Sequence, residues 1–257
     1  METGKLLLII TASLLLIGAC AGKEPNTDTD SSQITSDPAK PVDVTLMEAF
    51  TEEFDAQVSD LFVFQKLNTR PDFRYYPGFP SLSESGKRIL MLRLDPKDTA
   101  GEGAFAGAVG YVGHGTLSVR MRTPDITSVQ SSVGSCALLS LYDPDGDERI
   151  TLSLRLSEPS KVYLSVCGKE SSYTPAISGF KASSQFFVYG FDWAEGKLSA
   201  WIMDETEANK EVLAEFSGNL LDTPLHPALR FFTPKTGELP LYPYELEIDW
   251  IKYTPAG

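Results

Sequence analysis

A period of two in the side chains constrains this chain more than any other feature. From Val42 onward, short runs alternate apolar and polar residues, and turn residues interrupt them about every eight to twelve positions. Successive side chains of a strand point to opposite faces, so the pattern fits half-buried strands rather than helices. In the run 116–122, Leu117, Val119 and Met121 face one way, and Thr116, Ser118, Arg120 and Arg122 the other. In 149–156, Ile150, Leu152, Leu154 and Leu156 alternate with Arg149, Thr151, Ser153 and Arg155. A turn at Glu158-Pro159-Ser160 leads to a strand at 162–167. Runs 186–193 and 198–203 form a hairpin around Ala194-Glu195-Gly196, and 246–253 closes the chain as a strand. No segment sustains a helical period through three turns, although a short helix fits 44–50. The expectation is an all-β sandwich in which each sheet buries one face and leaves the other free.

The chain starts differently. Lys5 precedes an apolar run from Leu6 to Ile17 that only Thr11, Ala12 and Ser13 relieve. That run is short against the ~20 residues of a bilayer span and reads as an export signal. It ends in Ile17-Gly18-Ala19-Cys20, which resembles a bacterial lipobox. The resemblance implies that Cys20 is diacylated on sulfur and becomes the mature N-terminus. An ordinary signal peptide or a short anchor is the competing reading. Ala21 in place of Asp implies, by resemblance to sorting in enteric bacteria, an outer-membrane or cell-surface address. Residues 21–41 are rich in Asp, Ser, Thr and Pro and nearly free of large apolar residues, so they read as a tether. The expected organisation is a signal at 1–20, a tether at 21–41 and one sandwich domain at 42–257, monomeric and held to the membrane by its N-terminal lipid.

The net charge of −13 argues against nucleic acid, because phosphate binding needs a cationic surface. Glycans are usually uncharged, so the acidic balance is silent about them. With Cys20 lipidated, Cys136 and Cys167 remain. Antiparallel registry puts Cys136 opposite about Arg155 and Cys167 opposite about Ile150. They then stand two strand spacings apart, ~9–10 Å, too far for a disulfide, and two buried free thiols are expected. His114 and His226 are the only histidines, and no Cys/His cluster accompanies them, which argues against zinc. No Gly-x-Ser-x-Gly elbow is present. Asp143, Asp145 and Asp147 have the carboxylate density that calcium favours. They lack EF-hand order, and a Pro-Asp-Gly turn accounts for them, so no metal is expected and Ca2+ is the alternative.

Several segments carry a family resemblance. The run 115–124, Gly-Thr-Leu-Ser-Val-Arg-Met-Arg-Thr-Pro, is followed by a strand within 133–143 that leads into a polar loop. Next come Glu-Pro-Ser-Lys-Val-Tyr-Leu-Ser at 158–165, Phe-Phe-Val-Tyr-Gly-Phe-Asp-Trp at 186–193 and Trp-Ile-Met-Asp at 201–204. Pro-Leu-Tyr at 240–242 precedes Glu-Ile-Asp-Trp-Ile-Lys-Tyr-Thr at 247–254. In this order the segments resemble glycoside hydrolase family 16, the laminarinase- and lichenase-type glucanases with a concanavalin A-like jelly roll. The family motifs Phe-His-x-Tyr-x-(Phe/Ile)-x-Trp and Trp-Tyr-Val-Asp are the clearest matches.

The resemblance also exposes a loss. The family's catalytic strand reads Glu-x-Asp-x-Glu, or the same with one extra residue. A retaining glycosidase needs a carboxylate nucleophile and a carboxylic acid ~5–5.5 Å apart. Aligning the apolar positions places Arg149, Thr151 and Ser153 where those three acids belong. Glu148 reaches that face only if the strand slips by one residue, which would turn Ile150, Leu152 and Leu154 out of the core. Other cleft positions depart too: Ser118, Phe187, Arg230 and Phe232 replace family Glu, His, Asn and Trp, and His114 replaces a Tyr at the groove's edge. Arg120 is kept.

What remains is a groove expected to be floored by Ser118, Arg120, Arg149, Thr151, Ser153, Tyr163 and Ser165, with Arg230 beside it. Its three arginines suggest an acidic or sulfated glycan. Phe73, Tyr75, Tyr76 and Phe79 in the loop 72–80 could stack on sugar rings at the rim, whereas Trp193, Trp201 and Trp250 are expected in the core. The leading expectation is a non-catalytic carbohydrate-binding lipoprotein of the cell envelope. One rival is a β-glucanase-like hydrolase with rearranged carboxylates, Glu148 with Asp147 or Glu170. Another is a structural envelope lipoprotein whose own loops fill the groove.

Overall fold

The computed structural model describes residues 44–54, 59–67, 81–82, 88–94, 103–126, 135–218, 224–233 and 243–257. The expected signal with Cys20, the tether and the aromatic loop 72–80 lie outside them. Every regular element among them is a strand: β1 Phe50–Glu52, β2 Phe62–Leu67, β3 Ser81–Leu82, β4 Arg88–Leu94, β5 Gly103–Ala108, β6 Gly115–Arg122, β7 Cys136–Tyr142 and β8 Glu148–Arg155. The rest are β9 Val162–Val166, β10 Lys169–Tyr173, β11 Phe187–Ala194, β12 Lys197–Met203, β13 Lys210–Ser217, β14 His226–Phe232 and β15 Tyr244–Pro255.

They form two antiparallel sheets. The β6 sheet runs β13-β12-β11-β6-β15-β4-β3, with β1 also on β15; the β8 sheet runs β10-β9-β8-β7-β14-β5-β2. The chain makes hairpins within a sheet and then crosses: β7 to β10 lie in one sheet, β11 to β13 in the other, and β14 and β15 in one each. One core fills the space between the sheets. Leu117, Val119, Met121, Tyr189, Phe191 and Ile202 come from the β6 sheet, and Leu139, Ile150, Leu152, Leu154, Leu164 and Phe231 from the β8 sheet. The period of two thus delivered the core residues of β6 and β8 as expected.

Three expectations change. Residues 44–50 make no helix: Leu46 bridges Tyr111 in parallel, and Met47 donates its amide to the Tyr111 carbonyl. A ladder partner already in place outweighs the weak helical period. Trp193 packs in the core between the sheets and Trp201, 3% exposed, is buried as well, but on the other side of its sheet. Trp201 lies across Gly190 on the outward face of the β6 sheet with the Lys210 ammonium 4.3 Å above its ring, and Trp250, beside Arg120 in register, is half-buried. Neither Cys136 nor Cys167 is in a disulfide, but only Cys136 is buried. Cys136 pairs with Arg155 as expected, while Cys167 sits at the β9–β10 corner with φ +48°.

Candidate functional site

β8 sets the geometry. Ile150, Leu152 and Leu154 are 0 to 1% exposed and face the core. Alternation therefore turns Arg149, Thr151, Ser153 and Arg155 outward. In register, Thr151 lies between Ser140 of β7 and Ser165 of β9, and Ser153 lies between Leu138 and Tyr163. Leu138 in turn pairs with Arg230 of β14. Arg149, Thr151, Ser153, Tyr163, Ser165 and Arg230 thus share one face, as the sequence suggested.

Ser118 and Arg120 do not join them. Both project from β6, whose Leu117, Val119 and Met121 face the core from the opposite side, so they lie on the far surface of the sandwich. There Arg120 is ion-paired to Asp249 and, at 3.6 Å, to Glu205, with Phe186 5.0 Å from its guanidinium. A single strand reveals which residues share a face, but not which sheet that strand enters. His114 does not join them either: its ring meets Trp193 of β11, in the other sheet, edge-on at 6.1 Å.

Glu148 is the residue that sequence reasoning set aside. Leu141 pairs with Ile150, but Tyr142 pairs with Glu148, so Arg149 is an extra residue in β8. This β-bulge opposes two residues to one and bends the strand locally. It brings Glu148 onto the outward face without turning Ile150, Leu152 or Leu154 out of the core. Ser140 Oγ donates to Glu148 Oε1 at 2.6 Å and Tyr142 Oη donates to the same oxygen at 3.2 Å. Arg230 donates to Tyr142 Oη at 2.7 Å and stands 3.7 Å from Glu148 Oε1. Burial pushes the Tyr142 phenol up to about 12 against the lowering effect of Arg230. Tyr142 is therefore a fixed neutral donor at physiological pH.

The bulge follows the turn Asp143-Pro144-Asp145-Gly146, closed by Gly146 N donating to Asp143 O, with Gly146 at φ +88°. Arg149 grips Asp143 Oδ2 through Nε at 2.7 Å and Nη2 at 2.5 Å, while Asp147 N donates to Oδ1. Asp143 is thereby committed to its own turn. Among the described residues no group of three or more His, Cys, Asp or Glu side chains could hold a metal ion. Asp143 is 5% exposed, so Arg149→Ala would leave a buried carboxylate without its cation. We expect that variant to lose about 1–3 kcal/mol of stability by urea denaturation, and Arg149→Lys to lose only part of that, since Lys keeps the charge but not the two-point grip.

The other arginines of this face are also neutralised within the chain. Arg155 donates to Glu170 at 2.6 Å and lies 3.7 Å over the Tyr163 ring, whose hydroxyl donates to Glu158. The reason to expect an acidic or sulfated ligand therefore weakens, because each guanidinium here faces a carboxylate of the protein. Glu148 is the first residue of β8, whereas Glu170 is drawn to the last, Arg155. A strand of that length spans roughly 23 Å at ~3.3 Å per residue, against the ~5–9.5 Å that separates glycosidase carboxylates. Cys136 offers no nucleophile: burial first of all raises its thiol to about 12, which keeps it protonated at neutral pH.

His226 is 3% exposed at the start of β14 and donates Nε2–H to the Ala108 carbonyl at 2.6 Å. Burial lowers its pKa below 6.5, outweighing that hydrogen bond. The unfolded chain then takes up the proton first as pH falls. The stabilising effect of the neutral ring is complete above about pH 6.5 and is lost as pH drops through that value toward the folded pKa. Stability measured from pH 7.5 to 5 should therefore fall, and His226→Gln should flatten the slope.

No protein-family model matches the chain, and no curated protein matches it. Solved structures do. A β-1,3-1,4-glucanase (lichenase) from a mouse hindgut metagenome aligns with a TM-score of 0.61 at 18% identity, covering 82% of this chain and 100% of that one. The catalytic domain of an endo-1,3-β-glucanase (laminarinase) from Thermotoga petrophila aligns at 0.62 and 16%, covering 83% and 99%. The Crh5 transglycosylase aligns at 0.57 and 15%, covering 82% and 85%. With these topologies and the two sheets described above, the chain has a glycoside hydrolase family 16-like jelly-roll fold. At such identities the likeness concerns the fold alone.

Proposed function

We propose that the chain is a lipid-anchored, non-catalytic carbohydrate-binding protein of the bacterial cell envelope, built on a glucanase scaffold. The outward face of β8 carries the reading: Arg149, Thr151 and Ser153 occupy the positions that correspond to the catalytic acids of the resembled family. A guanidinium and two hydroxyls cannot supply a nucleophile and a general acid to a glycosidic bond. They can donate and accept hydrogen bonds, and Tyr163 adds an aromatic ring, so a polysaccharide is the ligand that this chemistry suits. The glucanase and transglycosylase neighbours favour the same class. The lipobox-like Ile17-Gly18-Ala19-Cys20 supports anchoring through Cys20 in the outer membrane or at the cell surface.

The test combines glycan-array binding with a reducing-sugar assay on laminarin, lichenan and agar-type polymers. Binding without sugar release supports the reading, and weakened binding by Thr151→Val and Ser153→Ala assigns it to this face. Sugar release that disappears in Glu148→Gln would establish the hydrolase reading instead, which the position of Glu148 on this face favours. Neither binding nor release would leave a structural envelope protein. Fatty-acid labelling of the expressed full chain should be lost in Cys20→Ser; labelling that persists would refute the anchor.

A further inference from the structure

We infer that Glu148 is the specificity-determining contact of this face and makes it select uncharged, hydroxyl-rich glycans over acidic or sulfated ones. The inference rests on the reading of the face as a carbohydrate site. Both hydrogen bonds to Glu148 and its ion-pair distance to Arg230 are made at Oε1. Ser140 and Tyr142 therefore fix the carboxylate while Oε2 stays open, on a side chain that is 38% exposed. A fixed carboxylate oxygen accepts a sugar hydroxyl as a charge-assisted hydrogen bond, with little ordering left to do on binding.

A second observation lies beside it. Thr151 pairs in register with Ser140, the residue that holds Glu148. Thr151 is 6% exposed, and its Oγ1 is buried with no hydrogen-bond partner in the protein. Buried hydroxyls are nearly always bonded, so this one keeps unspent hydrogen-bonding capacity, on the residue in register with the serine that holds Glu148. The electrostatics point the same way. Arg149, Arg155 and Arg230 are each matched by a carboxylate of the chain, so a ligand sulfate would meet Glu148 and find no unmatched guanidinium. Like charges brought together across an interface are costly and reject the wrong partner.

The test is calorimetric titration of the wild-type chain with laminaritetraose and with its sulfated counterpart, repeated for Glu148→Gln and Glu148→Asp. The wild type should bind the uncharged oligomer at least about tenfold more tightly than the sulfated one. Glu148→Gln should weaken the uncharged oligomer by about tenfold and bring the two affinities together, with an unchanged unfolding midpoint showing that the variant is folded. Glu148→Asp, which withdraws the carboxylate but keeps its charge, should weaken the uncharged oligomer and still reject the sulfated one. Equal or tighter binding of the sulfated oligomer by wild type overturns the assignment of Glu148 and leaves the carbohydrate reading standing. So does Glu148→Gln binding both as wild type does. Binding of neither oligomer, nor of any glycan on the array, overturns both.

Discussion

Replacing Gly115 by alanine is expected to cost about 2–6 kcal/mol of folding stability. Gly115 opens β6 and lies in register between Trp193 of β11 and Pro255 of β15. Its φ is +152°, in the region that L side chains rarely adopt. Space is lacking as well: a Cβ there would sit well inside contact distance of the Thr254 carbonyl oxygen and 2.8 Å from Pro255 Cα. Those atoms are backbone of the neighbouring strand, so no rotamer change relieves them. Strain of about 1–3 kcal/mol and overpacking of about 1–3 kcal/mol act together. The measurement is the midpoint of urea unfolding at constant slope. A loss below about 1 kcal/mol would show that β15 moves aside freely.

The second large effect separates two neighbours on β8. Leu152 is 0% exposed in the core, and Leu152→Ala should destabilise by about 2–5 kcal/mol through lost burial and the cavity left behind. Thr151, one residue earlier, faces outward with an unpartnered buried hydroxyl. Thr151→Val keeps the shape and removes that hydroxyl, so it should be neutral or stabilising by up to about 1–2 kcal/mol. The same substitution should weaken glycan binding if Thr151 contacts ligand. A stability gain coupled to a binding loss is characteristic of a residue kept for function. If Leu152→Ala cost less than Thr151→Val, the assignment of the two faces would be wrong.

The fold was legible because alternation is a local code. In 116–122 and 149–156 each apolar residue had to face the same side, and those residues are the core of β6 and β8. β13 was harder to see. Lys210–Ser217 is an edge strand with mostly exposed or half-buried residues, so its pattern carries little hydrophobic contrast. β5 was hidden for the opposite reason: its six residues, Gly103–Ala108, are all buried and show no alternation.

The candidate site was legible only in part. Thr151, Ser153, Tyr163 and Ser165 could be placed together because hairpins join β8 to β9 and fix their register. Ser118 and Arg120 were misplaced because sheet membership depends on which strands pair over long range. The charge of the face was misread for a related reason. Arg155 meets Glu170 and Arg230 approaches Glu148 across strands, so counting arginines along the chain said nothing of their neutralisation.

The sequence by itself determined the strand faces of β6 and β8 and the core they supply, since each follows from side-chain chemistry at a period of two. Only the tertiary structure decided that Glu148 joins the outward face. A bulge changes the facing of one residue without disturbing the alternation on either side, and its cause lies in how β7 and the turn at Asp143 meet β8. Pairing between strands is a property of space, and the order of residues along one strand does not contain it.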